Sequence, residues 1–188
     1  MIDCIKEYRP HNTQEEIDQA VMLDLYQTYG DSLFERSNKV AHFTASSLIF
    51  DKELKHMIMI YHNIYQSYSW TGGHNDGDRD FYQVALKESS EETGIPRDQF
   101  VPLGLEPSSI EILTVKSHIK RGQFVNSHLH LNVTYLFLTD YNHALATPEN
   151  EAKDIQWIDV DKVLETTNEA DMRPIYEKNI QEAVKRFK

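Results

Sequence analysis

The chain has one cysteine, Cys4, among its 188 residues. A lone thiol excludes an internal disulfide, and it also excludes a zinc site built from cysteines. Long apolar runs are missing too: none approaches the roughly 20 residues of a membrane-spanning helix. The opening stretch MIDCIKEYRPHNTQEE has no apolar signal-peptide core. We therefore expect a soluble cytoplasmic protein without a membrane partner.

Positive charge is scarce as well, because 19 Lys and Arg residues face 30 Asp and Glu residues, for a formal net charge of −11. Nucleic-acid-binding proteins usually carry a basic surface, so no nucleic-acid partner is expected. A surplus of carboxylates can recruit cations, although most such surfaces only keep a protein soluble. The length and the 40% hydrophobic content suit one compact domain with a sizeable core.

Several short segments rich in apolar residues predict β-strands. The stretches HFTASSLIF (42–50) and HMIMIYH (56–62) predict neighbouring strands joined by a hairpin loop. The stretches SIEILTVKSHI (109–119), HLHLNVTYLFL (128–138) and DIQWIDV (154–160) predict three more. Strands mixed with a few helices favour an α/β or α+β sandwich.

Helices are predicted at both ends of the chain. Residues 1–40 read as a helical preface in which Thr13 and Glu16 form a capping box. Apolar residues then recur at helical spacing. These residues are Ile17, Val21 and Leu25. Residues 170–188 predict an amphipathic helix.

The stretch DFYQVALKESSEETGIP (80–96) predicts a helix with an unusual buried face. Asp80 can cap its start, with Gln83 three residues on, and Gly94 followed by Pro96 ends it. On a helical wheel of about 100° per residue, the apolar stripe continues into glutamates. The stripe consists of Phe81, Val84, Ala85, Glu88, Glu91, Glu92 and Ile95.

Clustered carboxylates on a buried stripe repel one another, and burying one without a partner is costly. The ordinary interpretation is a solvated charged face with Lys87 as a partner. A solvated face should not continue an apolar stripe, however, and Ser89, Ser90 and Thr93 are expected on the outward side. A bound cation resolves the repulsion. Hard oxygen ligands select Mg²⁺, Mn²⁺ or Ca²⁺, and the negative end of the helix dipole favours a cation there.

These residues resemble the Nudix box, whose pattern is G-x5-E-x7-R-E-U-x-E-E-x-G-U, with U an apolar residue. The ungapped match over residues 73–95 consists of Gly73, Glu88, Glu91, Glu92, Gly94 and Ile95. The chain departs from the pattern at Arg79, which stands at the first Glu, at Lys87, which stands at the Arg, and at Ser89, which stands at an apolar position. Lys87 keeps a positive charge but loses the bidentate fork of arginine.

The resemblance covers about residues 40–165 and implies a Nudix-like α/β/α sandwich around a mixed β-sheet. We expect residues 1–188 to form a single domain, with 1–40 as an N-terminal helical extension and 170–188 as a C-terminal helix. The resemblance also implies a pyrophosphohydrolase that acts on acid anhydrides and depends on Mg²⁺ or Mn²⁺. Its small-molecule substrate would be a nucleoside diphosphate linked to another moiety.

The resemblance also implies metal ligands and a reaction. Glu88, Glu91 and Glu92 would hold the metal, and the backbone carbonyl of Gly72 is a further candidate ligand. Metal ions neutralise a diphosphate and lower the pKa of a bound water, which then attacks phosphorus.

The general base stays open between a box glutamate, Glu91 or Glu92, and a residue of a later loop. The loop stretch TPENEAKDIQW contains Glu149 and Glu151, of which Glu151 is the assigned catalytic candidate, although exposed loop acids are common. His74 follows the glycine pair and is assigned to phosphate binding.

His128 and His130 alternate onto one strand face, where they can bind a metal, contact substrate or simply pack. Substrate binding is the assigned role, because no third metal ligand is recognisable from the sequence. Aromatic residues near the box can stack on a base or fill the core, and the core is favoured. These residues are Tyr65, Tyr68 and Trp70.

Two rival functions belong to the same fold. One is an isopentenyl diphosphate isomerase, which relies on a catalytic cysteine and is disfavoured because Cys4 lies in the preface. The other is a non-catalytic sensor of nucleotide sugars, which tends to lose box glutamates that this chain keeps. Residues 1–40 could cover the active site, support a homodimer or cover the sheet, and the substrate itself is not identified.

Overall fold

The computed structural model describes residues 2–62, 66–120, 122–146 and 152–188. The α-helices are α1 (Asp3–Lys6), α2 (Thr13–Tyr29), α3 (Phe81–Thr93), α4 (Val163–Thr166) and α5 (Arg173–Phe187). Short 3-10 helices occupy Gly30–Phe34, Arg97–Gln99, Val160–Lys162 and Ala170–Met172. No described helix combines the length and the apolar character that crossing a bilayer requires.

The strands confirm the predicted segments and add short ones between them. They are β1 (Ala41–Asp51), β2 (His56–His62), β3 (Ser67–Ser69), β4 (Thr71–His74), β5 (Val101–Pro102), β6 (Ser109–Val115), β7 (His118–Lys120), β8 (Gln123–Val125), β9 (His128–Thr139) and β10 (Ala152–Asp159). The large sheet runs in the order β10-β2-β1-β9-β5, while β3 pairs with β2, β4 with β1, and β6 with β9. Strands β7 and β8 form a separate hairpin.

The large sheet is mixed, as predicted. Strands β1 and β9 pair in parallel from Ala41↔Leu129 to Asp51↔Thr139, and the other pairings are antiparallel. Because side chains alternate along a strand, the parallel register puts like-facing residues of β1 and β9 side by side.

Each face of the sheet is covered by a helix, which confirms the predicted sandwich. On one face, Phe43 and Ala45 of β1 belong to the same buried core as Phe81 and Val84 of α3. On the other face, Leu48 and Phe50 of β1 belong to a second core with Leu136 and with Ile175 and Tyr176 of α5. This second core fills only one end of its face, because polar residues and histidines occupy the other end of β1 and β9.

The start of α2 differs from the predicted capping box. Asn12 has an extended backbone and is the N-cap, and its side chain accepts a hydrogen bond from the backbone N–H of Glu15. The Thr13/Glu16 box was therefore wrong. An asparagine oxygen caps a helix as well as a hydroxyl does, so the cap lies one residue earlier than predicted.

The apolar spacing in α2 does not mark its buried face. Ile17 and Val21 are exposed, whereas Glu15 and Met22 are fully buried. The helix lies beside β6, and the carboxylate of Asp18 accepts a hydrogen bond of 3.0 Å from the backbone N–H of Ile112 in that strand. Strand β6 pairs with β9 along one edge only, so backbone groups on its other edge need different partners. Part of the inner face of α2 is polar because its side chains supply such partners.

A buried ion cluster joins α2, β6 and α5. The ammonium of Lys178 lies 2.7 Å from Oε1 of Glu15 and 2.9 Å from Oε1 of Glu111. Tyr8 donates a hydrogen bond of 2.9 Å to the other oxygen of Glu15. Burial opposes the charge of Lys178, but the two carboxylates outweigh burial, so the pKa of Lys178 is raised.

Lys178→Met should destabilise the protein by about 3–5 kcal/mol, because it leaves two buried carboxylates without their cation. Urea unfolding at pH 7 measures this loss. Lys185→Met is the control, since the side chain of Lys185 is 67% exposed on the same helix, and it should change stability by less than about 0.5 kcal/mol.

The sign of the pH dependence follows from the raised pKa. The contribution of Lys178 is complete below the unfolded lysine pKa of about 10.4 and is lost as the pH rises through the folded value. A loss of under about 1 kcal/mol in Lys178→Met would show that the cluster does not depend on its cation.

Candidate active site

The acidic helix α3 begins and ends where the sequence predicts. The side chain of Asp80 accepts a hydrogen bond of 3.2 Å from the backbone N–H of Gln83. Gly94 ends the helix in the left-handed region, with φ of 74°, a conformation that glycine adopts at little cost.

The face that α3 buries differs from the predicted one. Ser89 and Thr93 were expected on the outward side, and both are fully buried. Ser89 is hydrogen-bonded to the hydroxyl of Ser47 at 2.6 Å, and Ser47 is hydrogen-bonded to Thr71 at the same distance. A buried hydroxyl with partners costs little, so a serine is tolerated at this normally apolar position of the box.

The rotation of the buried face moves the glutamates to the margin of the helix. The side chain of Glu88 is 17% exposed, that of Glu91 is 56% exposed, and Glu92 is half-buried. The three carboxylates therefore differ in their access to water. The prediction of one shared inward stripe was wrong for Glu91, which faces solvent.

Two glycines of β4 receive the two less exposed glutamates. The backbone N–H of Gly72 donates a hydrogen bond of 2.9 Å to Oε2 of Glu92. At Gly73, a Cβ atom would lie 2.3 Å from Oε2 of Glu88. Position 73 must therefore be a glycine for the Glu88 carboxylate to lie against the strand.

Lys87 reduces the repulsion within the acidic cluster. Its ammonium lies 3.1 Å from Oε1 of Glu88 and 3.8 Å from Oε2 of Glu91. The hydrogen bond with Glu88 is the main reason that the pKa of Lys87 is raised. Lys87 thus provides the pairing charge of the box arginine, although through a single ammonium.

The donor set suits a hard divalent cation. Carboxylates of Glu88, Glu91 and Glu92 and the backbone carbonyl of Gly72 all offer oxygen, which Mg²⁺ and Mn²⁺ prefer. The recess that the missing side chain of Gly73 leaves for Glu88 supports this fit, because it fixes one carboxylate close to the backbone.

Arg79, at the first box position, is directed towards the N-terminal segment. Its guanidinium donates a hydrogen bond of 2.5 Å to Asp31 and lies 5.9 Å from the ring centre of Phe34. Both members of the Arg79–Asp31 pair are about half exposed. Arg79 thus contacts the N-terminal segment through an exposed ion pair.

The predicted substrate-binding histidines lie together, and a fourth joins them. The ring centre of His42 lies 5.0 Å from that of His74, 4.7 Å from that of His128 and 5.0 Å from that of His130. The parallel register aligns His42 with His130, and β4 places His74 beside Thr44. Burial lowers the pKa of His42, which favours its neutral ring.

Sequence reasoning missed His42. The position of His42 in HFTASSLIF predicts that it lies on the same face of β1 as Thr44. Only the parallel pairing of β1 with β9, which is remote in the sequence, brings His42 next to His128 and His130. The available signal was that polar residues alternate with apolar ones in both strands, with His42 and Thr44 in one and His128 and His130 in the other.

The remaining candidates divide into two groups. Glu149, Glu151 and Tyr65 lie outside the described residues. Tyr68 and Trp70 pack against the second core, and Trp70 makes an edge-to-face contact of 5.6 Å with Tyr176. The core role that the sequence favoured for these two aromatic residues is confirmed.

Comparisons with known proteins agree with the fold described above. The family model described as NUDIX domain matches residues 41–178, whereas no curated protein matches the chain. Among solved structures, a C. elegans Ap4A hydrolase in a binary complex is similar with a TM-score of 0.52 and 17% identity, over 72% of this chain and 93% of that one.

Two further structures show the same fold. The E. coli dihydroneopterin triphosphate pyrophosphohydrolase has a TM-score of 0.57 and 14% identity, over 74% of this chain and 94% of that one. The NUDIX domain of Shewanella oneidensis NrtR, complexed with ADP ribose, has a TM-score of 0.54 and 16% identity, over 84% of this chain and 96% of that one. Identities this low establish the fold and leave the substrate open.

Gly73→Ala tests the recess under Glu88. The added methyl would meet the end of a flexible side chain, so the fold should survive while the carboxylate moves. We expect Mn²⁺ affinity, measured by electron paramagnetic resonance, to fall on the order of 10- to 100-fold, the scale for loss of a group that orients a metal ligand.

Gly72→Ala is the matched contrast for this experiment. A Cβ at Gly72 would lie 2.8 Å from the carbonyl oxygen of Ala45 and 2.9 Å from Cα of Ser46. Because backbone atoms cannot move aside cheaply, this variant should lose thermal stability, unlike Gly73→Ala. Unchanged Mn²⁺ binding in a folded Gly73→Ala protein would show that the recess does not position a metal ligand.

Proposed function

Since the chain belongs to the NUDIX domain family, we propose that it is a metal-dependent hydrolase that cleaves the diphosphate bond of a nucleoside diphosphate linked to another moiety. The observation that carries the proposal is the placement of Glu88 and Glu92 against the glycine pair of β4. This placement holds two box carboxylates against the backbone of one short strand, which a solvated acidic face does not need.

Each box residue has a distinct role in the proposal. Glu88 and Glu92 would hold Mg²⁺ or Mn²⁺, with the carbonyl of Gly72 as a neighbouring ligand. The hydrogen bond from Gly72 fixes one oxygen of Glu92, and Lys87 restrains Glu88. A bound divalent ion neutralises charge on a diphosphate and lowers the pKa of water.

Glu91 is the candidate for the proton-accepting group among the described residues. Its carboxylate is 56% exposed and belongs to the same cluster, so it can accept a proton from water at the margin of the site. Glu92 and Glu151 remain the alternatives. A base must be able to reach the attacking water, and Glu91 is the most exposed of the three box glutamates.

The isomerase alternative lacks a suitable nucleophile. Burial raises the pKa of Cys4 to about 11, and the side chain packs against the first core. A thiol with such a pKa is almost wholly protonated at neutral pH. The sensor alternative stays a distinct outcome of the experiment below.

The decisive experiment is a hydrolysis screen with Mg²⁺ and with Mn²⁺. The panel contains nucleotide sugars, dinucleoside polyphosphates, nucleoside triphosphates and coenzymes, each tested with the wild type and with Glu92→Gln. Turnover that is lost in Glu92→Gln supports the hydrolase. Tight binding of one ligand without turnover by the wild type would favour the sensor and overturn the proposal.

Glu88→Gln and Glu92→Gln should each lower turnover on the best substrate by on the order of 10²-fold or more, because glutamine keeps the shape but removes an anionic ligand. Apo thermal stability should hold or rise slightly, since like charges within the cluster repel less. Glu16→Gln, an exposed acid of α2, is the control and should leave both measurements unchanged. Full activity of Glu92→Gln would contradict the assignment.

Arg79→Ala should change turnover by less than about tenfold, or roughly 1.4 kcal/mol in barrier. The reason is that the Arg79 side chain pairs with Asp31, outside the glutamate cluster, and an exposed pair of this kind contributes little stability. Arg36→Ala, which breaks a similar exposed pair with Asp76, is the matched control. A hundredfold loss confined to Arg79→Ala would reveal a catalytic or substrate-binding contact.

A further inference from the structure

Four histidines, His42, His74, His128 and His130, form a cluster on the sheet face opposite α3. The box glutamates lie on the α3 side of the sheet and offer oxygen ligands, whereas the histidines offer nitrogen. We propose that His42, His128 and His130 form a second metal site, which binds one Zn²⁺ or a similar borderline divalent ion through ring nitrogens. The proposal does not depend on the hydrolase activity, since it uses none of the box glutamates.

The spacing of the nitrogens fits one small ion. Each of the three histidines offers a ring nitrogen, and all three atoms lie within 4.8 Å of one another. The Nε2 atoms of His128 and His130 are 3.2 Å apart. Two nitrogens bound tetrahedrally at 2.0–2.1 Å from zinc lie about 3.3–3.4 Å apart, so this pair already has nearly the separation of ligands on a shared ion.

Backbone carbonyls orient two of the three rings. Nδ1 of His42 lies 3.1 Å from the carbonyl oxygen of Asn38, and Nδ1 of His128 lies 2.8 Å from that of Asn126. A carbonyl can only accept a hydrogen bond, so each Nδ1 carries the proton and each Nε2 keeps its lone pair. The same outer contact orients metal-binding histidines in general.

The Nε2 atom of His42 is buried in a way that side-chain packing alone does not explain. Its side chain is buried, with 5% of the residue exposed, and no described residue hydrogen-bonds to its Nε2. A buried acceptor without a partner costs about 1–3 kcal/mol. A metal ion bound at Nε2 would use the lone pair that is otherwise unpaired in the interior.

The ligand types decide which ion fits. Imidazole suits Zn²⁺, Cu²⁺ and Ni²⁺, whereas Mg²⁺ prefers oxygen, so this cluster and the box glutamates should select different ions. Three ligands leave one tetrahedral position open, as in zinc sites that admit water or a ligand oxygen. The ring of His74, with its centre 4.9 Å from that of His130, borders the cluster.

The test uses untagged full-length protein that has been stripped of metal by a chelator. Co²⁺ is titrated first, because four-coordinate Co²⁺ gives a characteristic visible absorption, and Zn²⁺ is then added to displace it. Bound Zn²⁺ is counted per chain after dialysis. We expect one Co²⁺ per chain with the four-coordinate spectrum and one Zn²⁺ that displaces it.

Zn²⁺ binding by single-residue variants distinguishes the histidine site from the box glutamates and from adventitious surface binding. His42→Gln and His128→Gln should each weaken Zn²⁺ binding by at least about 100-fold, more than the loss of an outer-shell partner. His128 is only half-buried, so its variant keeps the test valid even where His42→Gln fails to fold. His143→Gln, which lies outside the cluster, should bind like the wild type.

Glu92→Gln distinguishes the two sites. It should retain Zn²⁺ binding at the histidines while it loses Mg²⁺-dependent turnover. Absence of stoichiometric Zn²⁺ at about ten micromolar, or binding that survives both His42→Gln and His128→Gln, overturns the proposal without bearing on the hydrolase. Zn²⁺ binding that disappears in Glu92→Gln would place the ion at the box and likewise overturn it.

Discussion

The parallel pairing of β1 and β9 is the constraint on which the rest of the structure depends. Its register aligns His42 with His130 on one face and Ala45 with Val133 on the other. A slip by one residue would exchange the faces, which would put histidines into the core beneath α3. The apolar residues of β9 and their packing against α3 therefore fix the histidine cluster as firmly as any contact within it.

The first half of β1 supports both candidate sites because β4 pairs with it there. Along β4, Gly73 faces α3 and leaves room for Glu88, whereas His74 turns to the opposite face. One short strand thus borders an oxygen-rich site through one residue and a nitrogen-rich cluster through the next. The alternation of side chains keeps these two chemistries apart over a distance of a single residue.

Strand segments and the acidic helix could be predicted from the sequence because their signals are local. Alternation in HLHLNVTYLFL and the caps at Asp80 and Gly94 depend on residues within a few positions, and both predictions are confirmed. The resemblance to the box was specific enough to identify the family, which the match of the family model to residues 41–178 confirms.

The predictions were wrong where contacts between residues remote in the sequence determine which face of a helix is buried. Ser89 and Thr93 are buried because Ser47 and Thr71 supply partners from the sheet, which no helical wheel can show. The inner face of α2 is partly polar because it serves the backbone of β6. His42 was missed for the same reason, since parallel pairing brings together residues that are remote in the sequence.

The Lys178 cluster ties the two ends of the chain to one edge of the sheet. Glu15 lies before the family-matched region of 41–178, yet its carboxylate shares an ammonium with Glu111 inside that region. Opening α2 alone would break the ion pair between Glu15 and Lys178 and the hydrogen bond from Tyr8 to Glu15, so these contacts should slow the exchange of the amide hydrogens of the helix. One lysine of α5 thus holds the N-terminal helix α2 and the edge strand β6 together.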